Sequence, residues 1–304
     1  MKILITGSSG FIGQHLINRL TDHELYKLQS DLTAHDDIKN EVHKIKPDIV
    51  IHLAARTEVQ LSFYEQTSFS DVNYTGTVNL LECMMQLEKV PKLLFASTME
   101  VFGWQPCSDQ IKNGHVFDEL PIFTKDTAPN PNAPYAVAKL GCEKYIEYSS
   151  RISDLEYVSL RQTNSYGRKD NDFFVTEQII SQMIKNPNEC LLGYGDPYRN
   201  FIYIDDMIDA WLSVIENFDK VKNNTLTIGP NNALTMKNHA DNIARKLDWH
   251  GTIKWDAKDP RPGEIYILNS VNELKEFTGW EPKVNYNEGL DLTIETWKEI
   301  IKNE

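Results

Sequence analysis

The sequence predicts an α/β protein, a doubly wound parallel sheet with a smaller mixed α/β lobe at its C-terminal end. Three observations predict it. An apolar run, Ile3-Leu4-Ile5, is followed at once by Gly7, Gly10 and Gly13 and then by a helical apolar stripe. Further continuous apolar runs, at 48–55 and 92–96, have the composition of strands buried on both faces. Helical stretches separate these runs, and strand–helix alternation builds parallel sheets.

Each element can be justified in turn. The first strand breaks at Gly7, and a helix is expected to start on Gly13, with Ile12, Leu16, Ile17 and Leu20 on its apolar face. A short strand is expected near 25–28. Ser30-Asp31-Leu32-Thr33 is the expected start of a helix through Val42, which Pro47 ends. The strand at 48–55 leads to a helix at 70–88, the next strand is at 92–96, and 103–126 reads as an irregular insertion. Pro134 opens a helix to about Ser150, and a strand at 157–160 follows. Beyond Tyr166 the rhythm changes: a helix at 173–185, a strand at 191–192, and a segment at 201–206 before a helix to Asn217. Turns are then expected at 229–230, 260–263 and 279.

The chain has 304 residues, enough to bury a full core and form two lobes. Its formal net charge of −13 argues against a nucleic-acid surface. No apolar run approaches membrane-spanning length, and the N-terminus reads as a strand rather than a signal peptide. Cys83, Cys107, Cys142 and Cys190 are widely spaced and fit no metal or redox motif, so they read as reduced thiols of a cytoplasmic protein. The eight histidines lack metal-site spacing, and no metal is assigned.

Glycines between a strand and a helix allow a sharp turn, close approach of backbone N–H groups to a pyrophosphate, and tight helix packing. The helix N-terminus adds unpaired N–H groups and partial positive charge. Residues 1–13 therefore read as a dinucleotide site of Rossmann-like type, although the spacing G-x-x-G-x-x-G differs from the commoner G-x-G-x-x-G. Tyr135 and Lys139 are four apart on one helix and share a face. Alone that pair is an ordinary amphipathic feature.

Taken with Ala96-Ser97-Thr98-Met99-Glu100-Val101-Phe102-Gly103 and Thr6-Gly7-x-x-Gly10-x-x-Gly13, it resembles the extended short-chain dehydrogenase/reductase family, specifically its nucleotide-sugar epimerases and dehydratases. His52-Leu53-Ala54-Ala55, Asn73-x-x-Gly76-Thr77, Arg161-x-x-Asn164-x-Tyr166-Gly167, Arg199-x-Phe201-x-Tyr203-x-Asp205-Asp206, Arg261-Pro262-Gly263 and Gly279-Trp280-x-Pro282 extend the resemblance over nearly the whole chain.

The resemblance implies a dinucleotide-binding domain over 1–170, with 199–217 packing back on it, and a nucleotide-sugar lobe over 171–304. It implies Tyr135 as catalytic base, Lys139 as its electrostatic partner and ribose ligand, and Thr98 as a hydrogen-bond donor to the same sugar oxygen. Gly7, Gly10, Phe11, Ile12, Gly13, Asp31, Leu32, Leu53, Ala54 and Ala55 are the implied cofactor contacts. Asn164, Arg199 and Arg261 are the implied diphosphate and sugar contacts. Asn73 is implied to steady its helix, and Trp104 and Tyr166 are candidate lining residues.

A phenol has a pKa of about 10, so ionising it near pH 7 needs about 4 kcal/mol, which a nearby ammonium and a positive nicotinamide can supply. Glu100 points to dehydratase-type chemistry, because a carboxylate there can remove the acidified C5 proton of a 4-keto hexose. Met99 stands where many dehydratases carry an acid, and a thioether is no general acid.

The expected cofactor is NAD. Asp31 lies 18 residues after Gly13, close to the ribose-binding acid. It also matches a family motif whose Asp contacts adenine, which leaves NADP open. The expected activity is that of an NAD-dependent nucleotide-sugar epimerase/dehydratase working through a 4-keto NDP-hexose. A 4-epimerase, a glucuronate decarboxylase, a 4-keto reductase and a silent sugar-nucleotide-binding homologue are the alternatives. Expected partners are a nucleoside-diphosphate sugar and a second copy of the chain, a homodimer through the helices at 70–88 and 134–150, with neither nucleic acid nor membrane.

Overall fold

The computed structural model describes residues 1–258 and 261–303. Its centre is a six-stranded sheet. Five strands come from residues 1–162: β1 (Lys2–Thr6), β2 (Glu24–Lys27), β3 (Ile49–His52), β4 (Lys92–Thr98) and β5 (Tyr157–Gln162). The sixth, Asn224–Ile228, returns from beyond residue 170 to pair with β5. All five pairings are parallel, and the spatial order is Asn224–Ile228, β5, β4, β3, β1, β2.

The strand alternation sends neighbouring residues to opposite cores. Ile3, Ile5, Ile49, Ile51, Val158 and Leu160 face one layer, which contains helix α1 (Phe11–Arg19) and the Ile204–Glu216 helix. Leu4, Val50, Leu93 and Phe95 face the other, built from α2 (His35–Ile45) and the Gly76–Met85 and Pro134–Ile152 helices. Each such side chain contributes about 1.5–3 kcal/mol through burial. A separate apolar cluster around Ile179, Met183, Phe201, Ile243, Ile294 and Trp297 forms the core of the smaller lobe.

Several boundaries differ from expectation, each for a local reason. Helix α1 begins at Phe11, so Gly13 lies inside its first turn; its added Cβ would stand 2.4 Å from the Gly7 oxygen. Helix α2 begins at His35, because Asp31 Oδ1 accepts from the Thr33 amide and hydroxyl and closes residues 31–34 into a turn. The strand at 48–55 stops at His52; beyond it the Leu53 amide still donates to the Thr6 carbonyl and the Ala54 amide to the Thr6 hydroxyl. The helix expected at 70–88 is three pieces, Gln66–Ser70, a π-helical turn Asp71–Thr75 and Gly76–Met85. The insertion contains a helix, Pro106–Lys112, opened by proline at its start. Of the turn expected at 260–263, Pro260 lies outside the described residues.

Chain order decides where a ligand can enter. From β1 the chain goes outward to β2 and then back across to β3 on β1's other side. At that reversal the helices leave in opposite directions and open a crevice at the carboxyl ends of the strands.

Candidate active site

That crevice is a cavity of about 1180 Å³ between the two lobes. Its wall contains Gly7, Gly10, Phe11, Ile12, Gly13, Asp31, Leu32, Leu53, Ala54, Ala55, Thr98, Glu100, Tyr135, Lys139, Asn164, Arg199 and Arg261, every residue singled out from the sequence as catalytic or ligand-binding. Trp104, exposed and bonded to Asp109, and the buried Tyr166 are not among the lining residues.

The glycine turn is shaped by backbone contacts. Gly7 has φ +68°, and a Cβ on it would lie 2.7 Å from the Ala54 amide nitrogen. The Gly10 amide donates to the Gly7 carbonyl at 3.0 Å. No acidic side chain occupies the first turn of α1, so its N–H groups are left for an anionic ligand. These are the requirements of a dinucleotide diphosphate: no side chain in the way, donors and partial positive charge in place. Behind the turn runs a buried relay. Thr77 donates to the Asn73 carbonyl, His52 Nε2 donates to Thr77 at 2.9 Å, Thr6 donates to His52 Nδ1 at 2.7 Å, and Thr6 accepts from the Ala54 amide. The donor order assigns the neutral Nε2–H tautomer, and burial with Lys139 nearby lowers the His52 pKa to about 3. Asn73 grips both backbone polar atoms of Arg56, at 2.8 and 2.9 Å. Asp31 is exposed on the rim, with one oxygen held by Thr33.

The catalytic candidates come from two element ends. Pro134 sets the first turn of the Pro134–Ile152 helix, which places Tyr135 and Lys139 one above the other and both buried. Thr98 ends β4, and its hydroxyl accepts from the Glu100 amide at 3.2 Å, capping the 3-10 turn Met99–Phe102. That turn aims Glu100 into the cavity, while Met99 packs with Phe102, Phe123, Ile265 and Leu268 in an apolar cluster. Lys139 Nζ donates to the Ala96 carbonyl at 2.8 Å and lies 4.7 Å over the Phe95 ring.

In the chain alone, burial and the Glu100 carboxylate hold the Tyr135 pKa well above its ordinary value, against a lowering hydrogen bond with Thr98. Burial also lowers Lys139 to about 8, against Cys142 and Glu143. The chain's own groups thus favour a protonated phenol at neutral pH, so the opposing positive charge must arrive with the ligand.

Arg199 also lines the cavity, buried and paired with Glu264 at 3.0 Å, and Arg261 stands 3.8 Å from Glu100. Burial lowers the Arg199 pKa, against the pull of Glu264 and Glu100. The sequence reading did not single out Glu264, Trp255, Lys258, Arg168 or Glu177, which also line the cavity. Arg168 and Glu264 do have a sequence signal, since they directly follow the Tyr166-Gly167 and Arg261-Pro262-Gly263 motifs.

Comparison with known proteins decides the family. Residues 3–229 match the family model described as the NAD dependent epimerase/dehydratase family. The chain belongs to this family. Its members include a putative UDP-glucose 4-epimerase of Methanocaldococcus jannaschii, 27% identical over 97% of this chain and 98% of that protein. The dTDP-glucose 4,6-dehydratase 1 of Escherichia coli K12 is also 27% identical, over 97% of this chain and 92% of its own length. Among solved structures, the UDP-glucose 4-epimerase of Thermotoga maritima with UDP-glucose superposes with a TM-score of 0.86 at 26% identity, covering 99% of this chain and 100% of that one. The epimerase/dehydratase family, part of the extended short-chain dehydrogenase/reductases, is nicotinamide-dependent, and the glycine turn of this chain fits such a cofactor.

Proposed function

We propose that this epimerase/dehydratase oxidises C4 of a nucleoside-diphosphate hexose and acts on the resulting 4-keto sugar by dehydratase-type chemistry. The cavity carries this reading, since Thr98, Glu100, Tyr135, Lys139, Arg199 and Arg261 all line it, with Arg261 3.8 Å from Glu100. The cofactor, held by the turn from Gly7 to Gly13 with Leu53, Ala54, Ala55 and the Asp31-Leu32 rim, supplies a hydride acceptor and a positive ring. The preferred form is NAD, because neither an epimerase nor a dehydratase consumes it.

The chain's own residues divide the rest of the work. Tyr135 takes the C4 hydroxyl proton, Thr98 donates to the same oxygen, and the Lys139 ammonium together with the positive nicotinamide favours the phenolate. Arg199 and Arg261 grip the diphosphate, for which a planar guanidinium fork is suited, and Asn164 orients the sugar. Glu100 then takes the C5 proton of the ketone and passes it to the departing C6 hydroxyl, so that water leaves without a second acid; return of the C4 hydride to C6 and delivery of a solvent proton to C5 through Glu100 would give the C6 methyl and restore the redox balance.

A specific observation favours 4-epimerisation as the second reading. Met99 contributes no acid to the cavity and belongs to the apolar cluster beneath it. Mass and proton NMR of products from a nucleotide-sugar panel separate the two. A product lighter by one water and bearing a C6 methyl supports the dehydratase; unchanged mass with inverted C4 from every competent substrate overturns it in favour of the epimerase. In either case Tyr135→Phe is expected to lower turnover about a thousandfold with nucleotide-sugar binding retained, and surviving turnover would remove Tyr135 from its role. The cytoplasmic, homodimeric form is part of the same reading. Outward Val137, Tyr148 and Ile152 on the Pro134–Ile152 helix are exposed and suit a partner copy, which light scattering at micromolar concentration tests.

A further inference from the structure

Two oppositely charged side chains on the cavity wall are buried and incompletely paired. Arg168 is 8% exposed, and its Nε has no hydrogen-bond partner. Glu177 is fully buried; its Oε1 accepts from the Gly167 and Arg168 amides at 2.8 and 3.0 Å, while its Oε2 has no hydrogen-bond partner and lies 3.7 Å from Arg168 Nη1. Buried polar atoms are nearly always satisfied, so a guanidinium nitrogen left short on the cavity wall marks a place that an anionic ligand can complete.

The setting of Arg168 says which ligand. Its guanidinium lies 4.3 Å from the Phe11 ring centre and 3.8 Å from that of Phe174. Phe11 is the first residue of α1 and belongs to the glycine turn; Phe174 caps the Val175–Lys185 helix of the other lobe. The N–H bonds of a guanidinium lie in its plane, so contacts to its faces leave its donors edge-on. One donor, Nη1, is held by the Ser165 carbonyl at 2.6 Å, which fixes the fork. The α1 N-terminus, with no acidic side chain in its first turn, is the neighbouring anion site.

We propose that Arg168 is a further ligand of the cofactor's diphosphate: the Phe11–Phe174 clamp holds its guanidinium edge towards the glycine turn, and Glu177 is a positioning residue that fixes the Gly167–Arg168 backbone. The assignment rests on the glycine turn being the dinucleotide site. It makes the cofactor's anionic centre a site of backbone donors from the glycine turn and a side-chain cation held by a ring from each lobe.

The test is equilibrium binding of NADH and ADP-ribose, by fluorescence and calorimetry, to the wild type, Arg168→Met and Arg168→Lys, with UDP and dTDP as controls and two salt concentrations. Arg168→Met is expected to weaken NADH and ADP-ribose alike by about tenfold to a hundredfold, with a shallower salt dependence. UDP and dTDP binding should stay within about twofold, and Arg168→Lys should fall between. Equal NADH affinity in wild type and a folded Arg168→Met protein overturns the proposal. So does a selective loss of UDP or dTDP, which would place Arg168 on the sugar nucleotide's diphosphate. Should Arg168→Met not fold, the lysine variant decides: weaker NADH with an unchanged melting temperature supports the assignment, and unchanged NADH or failure to fold makes Arg168 structural. A wild type that binds neither NADH nor ADP-ribose would instead overturn the dinucleotide site itself.

Discussion

The two anion sites proposed for the cavity, the glycine turn and the arginine pair, solve the same problem with different materials. The turn uses backbone alone: Gly7 at φ +68°, Gly13 packed against the Gly7 carbonyl, and free N–H groups at the start of α1. Its donors are fixed by the fold, and its partial charge adds no full ion to bury. The other site uses Arg199 and Arg261, each already facing a carboxylate, Glu264 at 3.0 Å and Glu100 at 3.8 Å. Buried guanidiniums need counter-ions, so an incoming diphosphate must compete with them. One of those counter-ions is also the proposed proton carrier. A backbone site is therefore rigid and indifferent to catalysis, whereas a side-chain site couples substrate binding to the charge of the catalytic wall.

Experiments that break the backbone site should have the largest effects. Gly13→Ala puts a methyl 2.4 Å from the Gly7 oxygen and 2.9 Å from Ser8 Cα, neither of which can rotate away. The expected result is a loss of about 1–3 kcal/mol of stability and about a hundredfold weaker NADH binding, read by thermal unfolding and fluorescence titration. Normal NADH affinity in this variant would remove the turn from the cofactor site. Next in size is Arg199→Gln, expected to weaken UDP or dTDP about ten- to fiftyfold, as for one charge-assisted hydrogen bond, with NADH unchanged. Comparable losses of both ligands would mean that the two sites are not separable.

Smaller still is Glu100→Gln, which releases Arg261 from its counter-ion. Nucleoside-diphosphate binding is expected to tighten by about two- to fivefold, modest because Arg261 is partly solvated, while turnover falls. Unchanged binding would show that Glu100 and the diphosphate do not compete.

Proton uptake gives the most graded comparison, because a buried neutral histidine sits behind each site. His52 backs the glycine turn through Thr6, and His239 lies behind Phe201, two residues after Arg199, stacked on it at 3.9 Å and bonded to Thr176 and Tyr286. Burial lowers both to about 3. The unfolded chain takes up these protons below about pH 6.5 and the native protein does not, so the stabilisation is complete above that pH and lost as pH falls towards 3. Each histidine should contribute a slope of about 1.4 kcal/mol per pH unit in that window. Chemical denaturation between pH 4 and 7 measures it, and His239→Gln should remove one share of the slope while leaving NADH binding above pH 6.5 intact. A slope unchanged in that variant would mean that His239 titrates alike in both states.

Much of the site was legible because its chemistry sits in short contiguous motifs. The strand–glycine–helix opening, Thr98 with Glu100, and Tyr135 one turn before Lys139 each place their side chains through local geometry, and the alternation of apolar runs announces the parallel sheet. What was missed is non-local. The strand Asn224–Ile228 is five residues with no strong pattern, and only β5 beside it makes it the sheet's sixth member. Helix α2 starts late because a side chain, Asp31, prefers its own turn. The three-piece helix before β4 depends on Asn73 reaching across to Arg56.

The sequence by itself determined the succession of strands and helices, the glycine turn after the first strand and the residues proposed to react, because backbone sterics and side-chain chemistry act over a few residues. Only the tertiary structure decided the charges. Burial lowers Lys139, Glu100 and burial together raise Tyr135, and Arg168 is clamped between rings from two lobes. Electrostatic interaction depends on distance and on exclusion of water, and the folded chain sets both through residues far apart in its order.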